Sequence, residues 1–376
     1  MIKVRDIYIS DYIPLINVLS VLMLSALLLV LMSLIKKQKL YSDISIIGLV
    51  ILFSLFYGLR QVPDMSFDTM RYVNLWFPEM KTLKDVFYGS VSWKGDYVFF
   101  LIPYVVNQFT ESKIVYLLVN SLFSISVVVY AYRLMLGEKY HFVVPVFILA
   151  LFVSSSFVAN YGNLLRQGMS LSFYLLSLVL LFKRKLMAFC VCAILAYFSH
   201  KSSVIIIVIY FSLVVLKIPL RYLFFMFLFS YVFVYVDVEN LAGSVGGYLG
   251  SMFDDRLLLY RESESRFLFL KYMSLIVVGV WFYCFRDLNV KDSQYNYLLS
   301  VYFVVIIIVN FFSSFEVVSG RFIHYASIIL PAITYYWFER VRYKKYAIFI
   351  YLVLVCIYSY VVYVTSDTYT TIIFNI

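Results

Sequence analysis

The stretch NYGNLLRQGMSLSFYLLSLVLLFKRK, residues 160–185, decides how the chain is read. From Gly168 to Phe182 it carries no charge, and it closes on the basic triplet Lys183–Lys185. An apolar segment on the order of 17–25 residues crosses a bilayer as a helix. Basic residues in short loops stay on the cytoplasmic side, so the triplet places Arg166 and Gln167, side by side at the other end, on the external side. Lipid gives backbone N–H and C=O groups no water, which leaves helices or a closed barrel, and the period-two alternation of a barrel strand is missing here. An all-α membrane protein is expected.

Working outward, the same pattern recurs. The 376 residues are 64% hydrophobic and 14% charged, with a mean hydropathy of +0.91, against roughly 45–50% apolar in a soluble domain. Spanning segments are expected at 13–35, 44–59, 113–136, 141–158, 165–182, 186–199, 202–216, 219–236, 267–285, 294–315, 321–338 and 346–364. That is a single integral membrane domain, residues 1–376, built as a polytopic helical bundle of about twelve spans. The first segment, Ile13 to Ile35, is longer than a signal h-region and lacks a small-residue cleavage site, so its retention is expected. Cys190, Cys192, Cys284 and Cys356 lie inside apolar segments and read as inert buried thiols. Zinc spacings, phosphate loops and dinucleotide fingerprints are all missing.

The net charge of +10 reports topology and implies no nucleic-acid partner. Lys36, Lys37 and Lys39, Arg133 and Lys139, Lys183–Lys185, Lys217 and Arg221, Arg286 and Lys291, and Arg340–Lys345 all fall in very short loops. These loops read as cytoplasmic. The segments YGNLLRQ, SHKSS (199–203), 237–266 and EVVSGR (316–321) are then external. The external loop 60–96 joins them if YVFFLIPYVVNQF (97–109), short and broken by a proline, is a re-entrant segment.

The polar residues at that face form a candidate site. An arginine within a spanning segment costs at least about 2.5–3.5 kcal/mol on insertion scales, so it faces a partner, a cavity or a substrate, or snorkels to the headgroups. Arg166 has company in His200 and Lys201, between two helices, and in Arg321, His324 and Tyr325, at i, i+3 and i+4 on one helical face. Two of only three histidines thus stand beside cations at external helix ends. Arginine forks bind phosphate oxygens bidentately and helix starts add N–H donors, so the set suits a phosphate or pyrophosphate. A nearby histidine suits a general base. The loop 60–96 adds Arg60, Asp64, Asp68, Arg71 and Tyr72, then Asp96 and Tyr97, with Trp76 and Trp93 flanking, a mixture suited to sugar rings. An ordinary solvated loop with interface aromatics is the alternative. The segment 237–266 reads equally as a mobile lid over the site or as a plain connector.

The blocks GLRQVPDMSFDTMRY (58–72), KGDYVFFLIPYVV (94–106), NLLRQGMSLSF (163–173), FSHKSSVIIIVIY (198–210) and VVSGRFIHYASIILP (317–331) resemble, in order, the EpsG-like branch of Wzy-type polysaccharide polymerases. The resemblance implies a glycosyltransferase of O-antigen, capsule or exopolysaccharide assembly in the bacterial inner membrane. Its substrate would be an undecaprenyl-pyrophosphate-linked oligosaccharide, and a chain-length regulator protein and membrane lipids would be its partners. Arg166 and Arg321 would clamp the departing pyrophosphate, and His200 or His324 would activate the acceptor hydroxyl. Gln167, Lys201, Tyr325 and the loop residues would bind substrate. The residues require no metal and no other cofactor, although Asp64 and Asp68, four apart, could hold an ion. A lipid-linked glycan ligase, a flippase or other transporter, and a non-catalytic assembly factor are the alternatives.

Topology is directly measurable. In a background without native cysteines, single cysteines introduced at Gln38, Arg184 or Arg342 are expected to resist an impermeant external thiol reagent, and those at Ser90 or Val245 to react. Labelling at position 184 from outside would put Arg166 on the wrong face.

Overall fold

The computed structural model describes residues 9–60, 62, 68–89, 95–136, 138–235, 293–313 and 316–365. Two compact units divide the chain, residues 1–204 with 341–376, and residues 205–340. Among the described residues all regular structure is helical.

The first unit begins with a hairpin of α1 (Ile9–Lys36) and α2 (Lys39–Gly58). Ser45 Oγ donates to the Leu29 carbonyl at 2.6 Å, tying the two together. After the short turns α3 (Asp68–Met70) and α4 (Leu83–Tyr88) come α5 (Tyr97–Asn107) and α6 (Lys113–Met135). Two contacts make α2 and α6 antiparallel. At one end Arg133 pairs with Asp43 at 2.6 Å; at the other, Gly58 lies against the backbone of Leu118. Serines buried on both helices, Ser54, Ser121 and Ser124, fit the rule that small residues let helices approach closely in lipid.

Next come α7 (Val144–Phe152) and α8 (Ser155–Gly162), bent by 66° at a break where Ser154 caps α8 by accepting from the Phe157 N–H. They lead into α9 (Leu165–Phe182) and α10 (Leu186–Ser199). α9 is the central helix: 83% of its apolar window is buried, against 28% for α1. It runs antiparallel to α10, since Ser170 near its start donates to the Ala196 carbonyl near the end of α10. Lys37 and Arg184 take left-handed backbone conformations, φ 52 and 58, in the turns after α1 and α9. Glycine usually holds that position. A cation there faces the negative helix C-terminus, which offsets part of the backbone cost.

The second unit holds α11 (Ser203–Leu216), which starts at its border, then α12 (Leu220–Ser230), α13 (Val232–Tyr235), α14 (Ser293–Phe311), α15 (Glu316–Ser327) and α16 (Leu330–Arg340). Buried Asn310 donates to Ser230 Oγ at 3.0 Å, joining α14 to α12, and Trp337 donates to the Tyr295 hydroxyl at 2.8 Å, joining α16 to α14. The chain returns to the first unit through α17 (Lys344–Thr365).

Among the described residues five helices are long and apolar enough to cross a membrane, Val18–Lys36, Lys39–Gly58, Lys113–Met135, Leu165–Phe182 and Gln294–Phe311; the bent pair makes a sixth if counted as one span. The expected twelve are not reached. Segments expected at 186–199, 202–216 and 219–236 form helices of 14, 14 and 11 residues, and 321–338 breaks between Ser327 and Leu330. The first two keep their expected bounds to within a residue and are simply short, whereas hydropathy runs on across the apolar turns at Tyr231 and Ile328–Ile329, which leave no mark in a window average. The expected span 267–285 and the external segment 237–266 lie outside the described residues. α5, read as part of a re-entrant segment, is a helix of 11 residues interrupted by Pro103, too short to cross.

A side chain at Gly58 would place its Cβ 2.6 Å from Leu118 Cα, whereas one at Gly48 meets only the mobile end of Leu29 at 2.9 Å. Gly58→Val is therefore expected to destabilise the detergent-solubilised protein by about 1–3 kcal/mol, the usual cost of overpacking. Gly48→Ala should leave the thermal midpoint nearly unchanged.

Candidate functional site

The break between α8 and α9 brings polar groups to one place. Thr69 anchors it: its N–H donates to Asn163 Oδ1 at 3.2 Å and its hydroxyl contacts the carbonyls of Gly162 and Asn163 at 3.0 and 3.1 Å. Gly168 then packs against the Asn160 carbonyl, where a Cβ would sit 2.6 Å away. These contacts fix the first turn of α9, and so the direction of Arg166.

The Arg166 guanidinium is enclosed on several sides. Nη1 donates to Asp96 Oδ2 at 2.6 Å and Nε to the Tyr72 hydroxyl at 3.3 Å. The same group lies 5.0 Å from the Trp76 ring centroid and 5.5 Å from that of Tyr72, within cation–π reach. A π-helical turn, Arg71–Trp76, holds the two rings 5.0 Å apart. Such turns are rare and frequent at functional sites. Side-chain exposure is only 17% for Arg166 and 7% for Asp96. Burial pushes the Asp96 carboxyl above the usual carboxylate range, while Arg166 and Lys201 pull it back down. Burial also pushes the Tyr72 hydroxyl up to about 12, which keeps it a neutral donor and acceptor.

Two sequence blocks far apart in the chain meet here. Gly95 has φ 115, and a Cβ there would lie 2.3 Å from Lys201 Cε. The backbone N–H of Lys201 donates to the Asp96 carboxylate, and the Tyr97 ring packs on Phe198 at 5.7 Å. His200 caps the C-terminus of α10 in extended conformation, its N–H donating to the Ala196 carbonyl at 3.0 Å. Arg166, Asp96, Tyr72, Lys201 and Tyr97 thus share one neighbourhood. Gln167 is buried beside Arg166 in the sequence, on the first turn of α9.

Other expected residues sit differently. Arg71 is exposed and only loosely paired with Asp68, at 3.9 Å. Arg60 is buried, donates to the Tyr57 carbonyl and, at 3.4 Å, to Thr69 Oγ1, and leaves Nε without a partner. Burial lowers its pKa to about 10. Asp64 and Trp93 lie outside the described residues. Arg321, His324 and Tyr325 belong to α15 of the second unit. Their helical spacing is realised, but exposure grades from exposed Arg321 to fully buried Tyr325, and His324 Nδ1 is buried without a hydrogen bond. Among the described residues no three His, Cys, Asp or Glu side chains group to hold a metal ion. The supporting roles of Thr69, Asn163 and Gly95 were not foreseen from sequence, because small polar residues and a single glycine carry no distinctive pattern.

The EpsG family matches residues 46–374, which include every block of this site. The chain belongs to the EpsG family. This is a Wzy-like, polymerase-type family, and with the apolar helices it marks a membrane protein of the polysaccharide polymerase type. No curated protein and no solved structure matches the chain.

The conformation of Gly95 yields a test. Gly95→Ala is expected to cost about 1–3 kcal/mol of stability, the usual range for a non-glycine residue in a sparsely populated backbone region. Most of that cost should persist in a Lys201→Ala background, because the flexible lysine can move while φ cannot. The measurement is the thermal midpoint of each purified variant.

Proposed function

We propose that this EpsG-family chain is a polysaccharide polymerase that joins undecaprenyl-pyrophosphate-linked oligosaccharide repeat units at the external leaflet of the bacterial inner membrane. In the reaction an acceptor hydroxyl forms a bond to the anomeric carbon of the growing glycan. The bond from that carbon to the pyrophosphate oxygen breaks, and undecaprenyl pyrophosphate leaves. Negative charge develops on the departing pyrophosphate, and a preorganised guanidinium stabilises it most effectively where water is scarce. The observation that carries the reading is Arg166, a buried guanidinium oriented by Asp96, Tyr72 and Trp76 at the end of the central helix. Tyr97 and the neighbouring rings suit sugar faces. Arg321 enters as the second arginine of the clamp on its sequence motif, and His200 as the base that takes the hydroxyl proton.

Purified protein supplied with a lipid-linked repeat unit tests the roles. Arg166→Lys keeps a cation for Asp96 but loses the planar fork, so chain extension is expected to fall about 10²-fold, the scale of losing one charge-stabilising donor, with the thermal midpoint nearly unchanged. His200→Gln should lower turnover by about 10²–10⁴-fold while leaving substrate binding mostly intact. Extension at the normal rate by either variant would remove that residue from the mechanism.

A further inference from the structure

Arg166 has both of its two-armed faces already half used. Nη1 donates to Asp96 and Nε to Tyr72. A phosphate bound bidentately needs two parallel N–H groups, Nη1 with Nη2 or Nε with Nη2. Nη1 keeps a second N–H, so the first edge would seat a second anion on a guanidinium that Asp96 already holds, and the second edge displaces Tyr72. Tyr72 is uncharged, and its ring is locked between Trp76 at 5.0 Å and Phe99 at 5.2 Å. Asp96 carries the charge a phosphate repels, and in a buried site the repulsion between two anions on one guanidinium is barely screened. Asp96 is the partner that has to yield.

A second place is built for it. Asp96 stands at the N-cap of α5, where an aspartate side chain ordinarily accepts from the second or third helical N–H. Here it makes no such bond. The first N–H groups of a helix have no partner within it, and the helix dipole favours an anion there. Lys201 adds to this position, with its backbone N–H already on the carboxylate and its side chain against Gly95.

We propose that Asp96 is a positioning residue with two stations, holding the Arg166 fork in the substrate-free protein and moving onto the N-terminus of α5, beside Lys201, when a pyrophosphate takes the guanidinium. The proposal rests on the clamp role given to Arg166 above. It makes Asp96 a stand-in for the substrate's phosphate: the carboxylate keeps the buried cation paired between turnovers and competes for it again as the carrier pyrophosphate departs. Capping α5 supplies part of the free energy that releases Arg166.

Two measurements on the full-length purified chain, with inorganic pyrophosphate as the probe, decide this. By calorimetry, Asp96→Asn is expected to bind pyrophosphate about tenfold more tightly than the natural protein, because a competing internal ligand has been removed. In the unmodified chain, hydrogen exchange at Val98 and Phe99 should slow when pyrophosphate is added, as a cap forms over the first turn of α5. Equal or weaker binding by a folded Asp96→Asn variant overturns the proposal. So does unchanged exchange at Val98 and Phe99 when pyrophosphate binds, a result that stands even if the variant does not fold. Failure of the unmodified chain to bind pyrophosphate at all overturns the clamp reading itself, a different result from binding that is indifferent to Asp96.

Discussion

The charge on Arg166 has to be met inside an apolar bundle, and the elements around it follow from that requirement. An ion transferred from water into a protein interior loses several kcal/mol of solvation, regained only through close pairing and full hydrogen bonding. Here the pairing comes from four separate pieces of chain. The turn before α5 brings Asp96, the π-helical turn brings Tyr72 and Trp76, the α8–α9 break aims the guanidinium, and the end of α10 brings Lys201 to the carboxylate. Each piece departs from regular helix at the point where it contributes. Regular α-helix satisfies its own backbone and presents apolar side chains, so polar convergence of this kind arises where helices start, stop or widen.

A second ion pair in the same unit shows what burial changes. Arg133 and Asp43 also approach to 2.6 Å, but with side chains 38% and 33% exposed. Solvent screens such a pair, and its contribution is small. It fixes the register of α2 against α6 without any demand on the surrounding structure. The Arg166 pair makes that demand, with its partners less than one-fifth exposed. The two ends of the α2–α6 pair are thus chemically unlike: one carries screened basic residues near Lys37 and Arg133, the other a desolvated guanidinium site.

That asymmetry bears on function. Asp96, Tyr72 and Trp76 fix the direction of the Arg166 guanidinium, and preorganised donors of this kind are what electrostatic stabilisation of developing charge requires. Arg60 adds a second buried guanidinium on the loop that carries Thr69, bonded only to neutral oxygens among the described residues.

From sequence alone, the class and the central helix were legible, because hydrophobicity over about twenty residues is a property of composition that lipid enforces without reference to any other segment. The same reasoning singled out Arg166, since a charge at the edge of such a run is costly whatever surrounds it. It also recognised KGDY and SHKSS as blocks. Their meeting, with Gly95 pressed against Lys201 and Asp96 closing on Arg166, was decided by tertiary structure, because nothing local ties residue 95 to 201 or 96 to 166. Among the described residues five or six of the expected twelve spans are matched, in part because hydropathy registers apolar length, whereas the break after Ser327 depends on capping and packing that a window average does not see. Length and polarity are local quantities written in the residues; the choice of partner for a buried charge is settled only when separate helices are brought together.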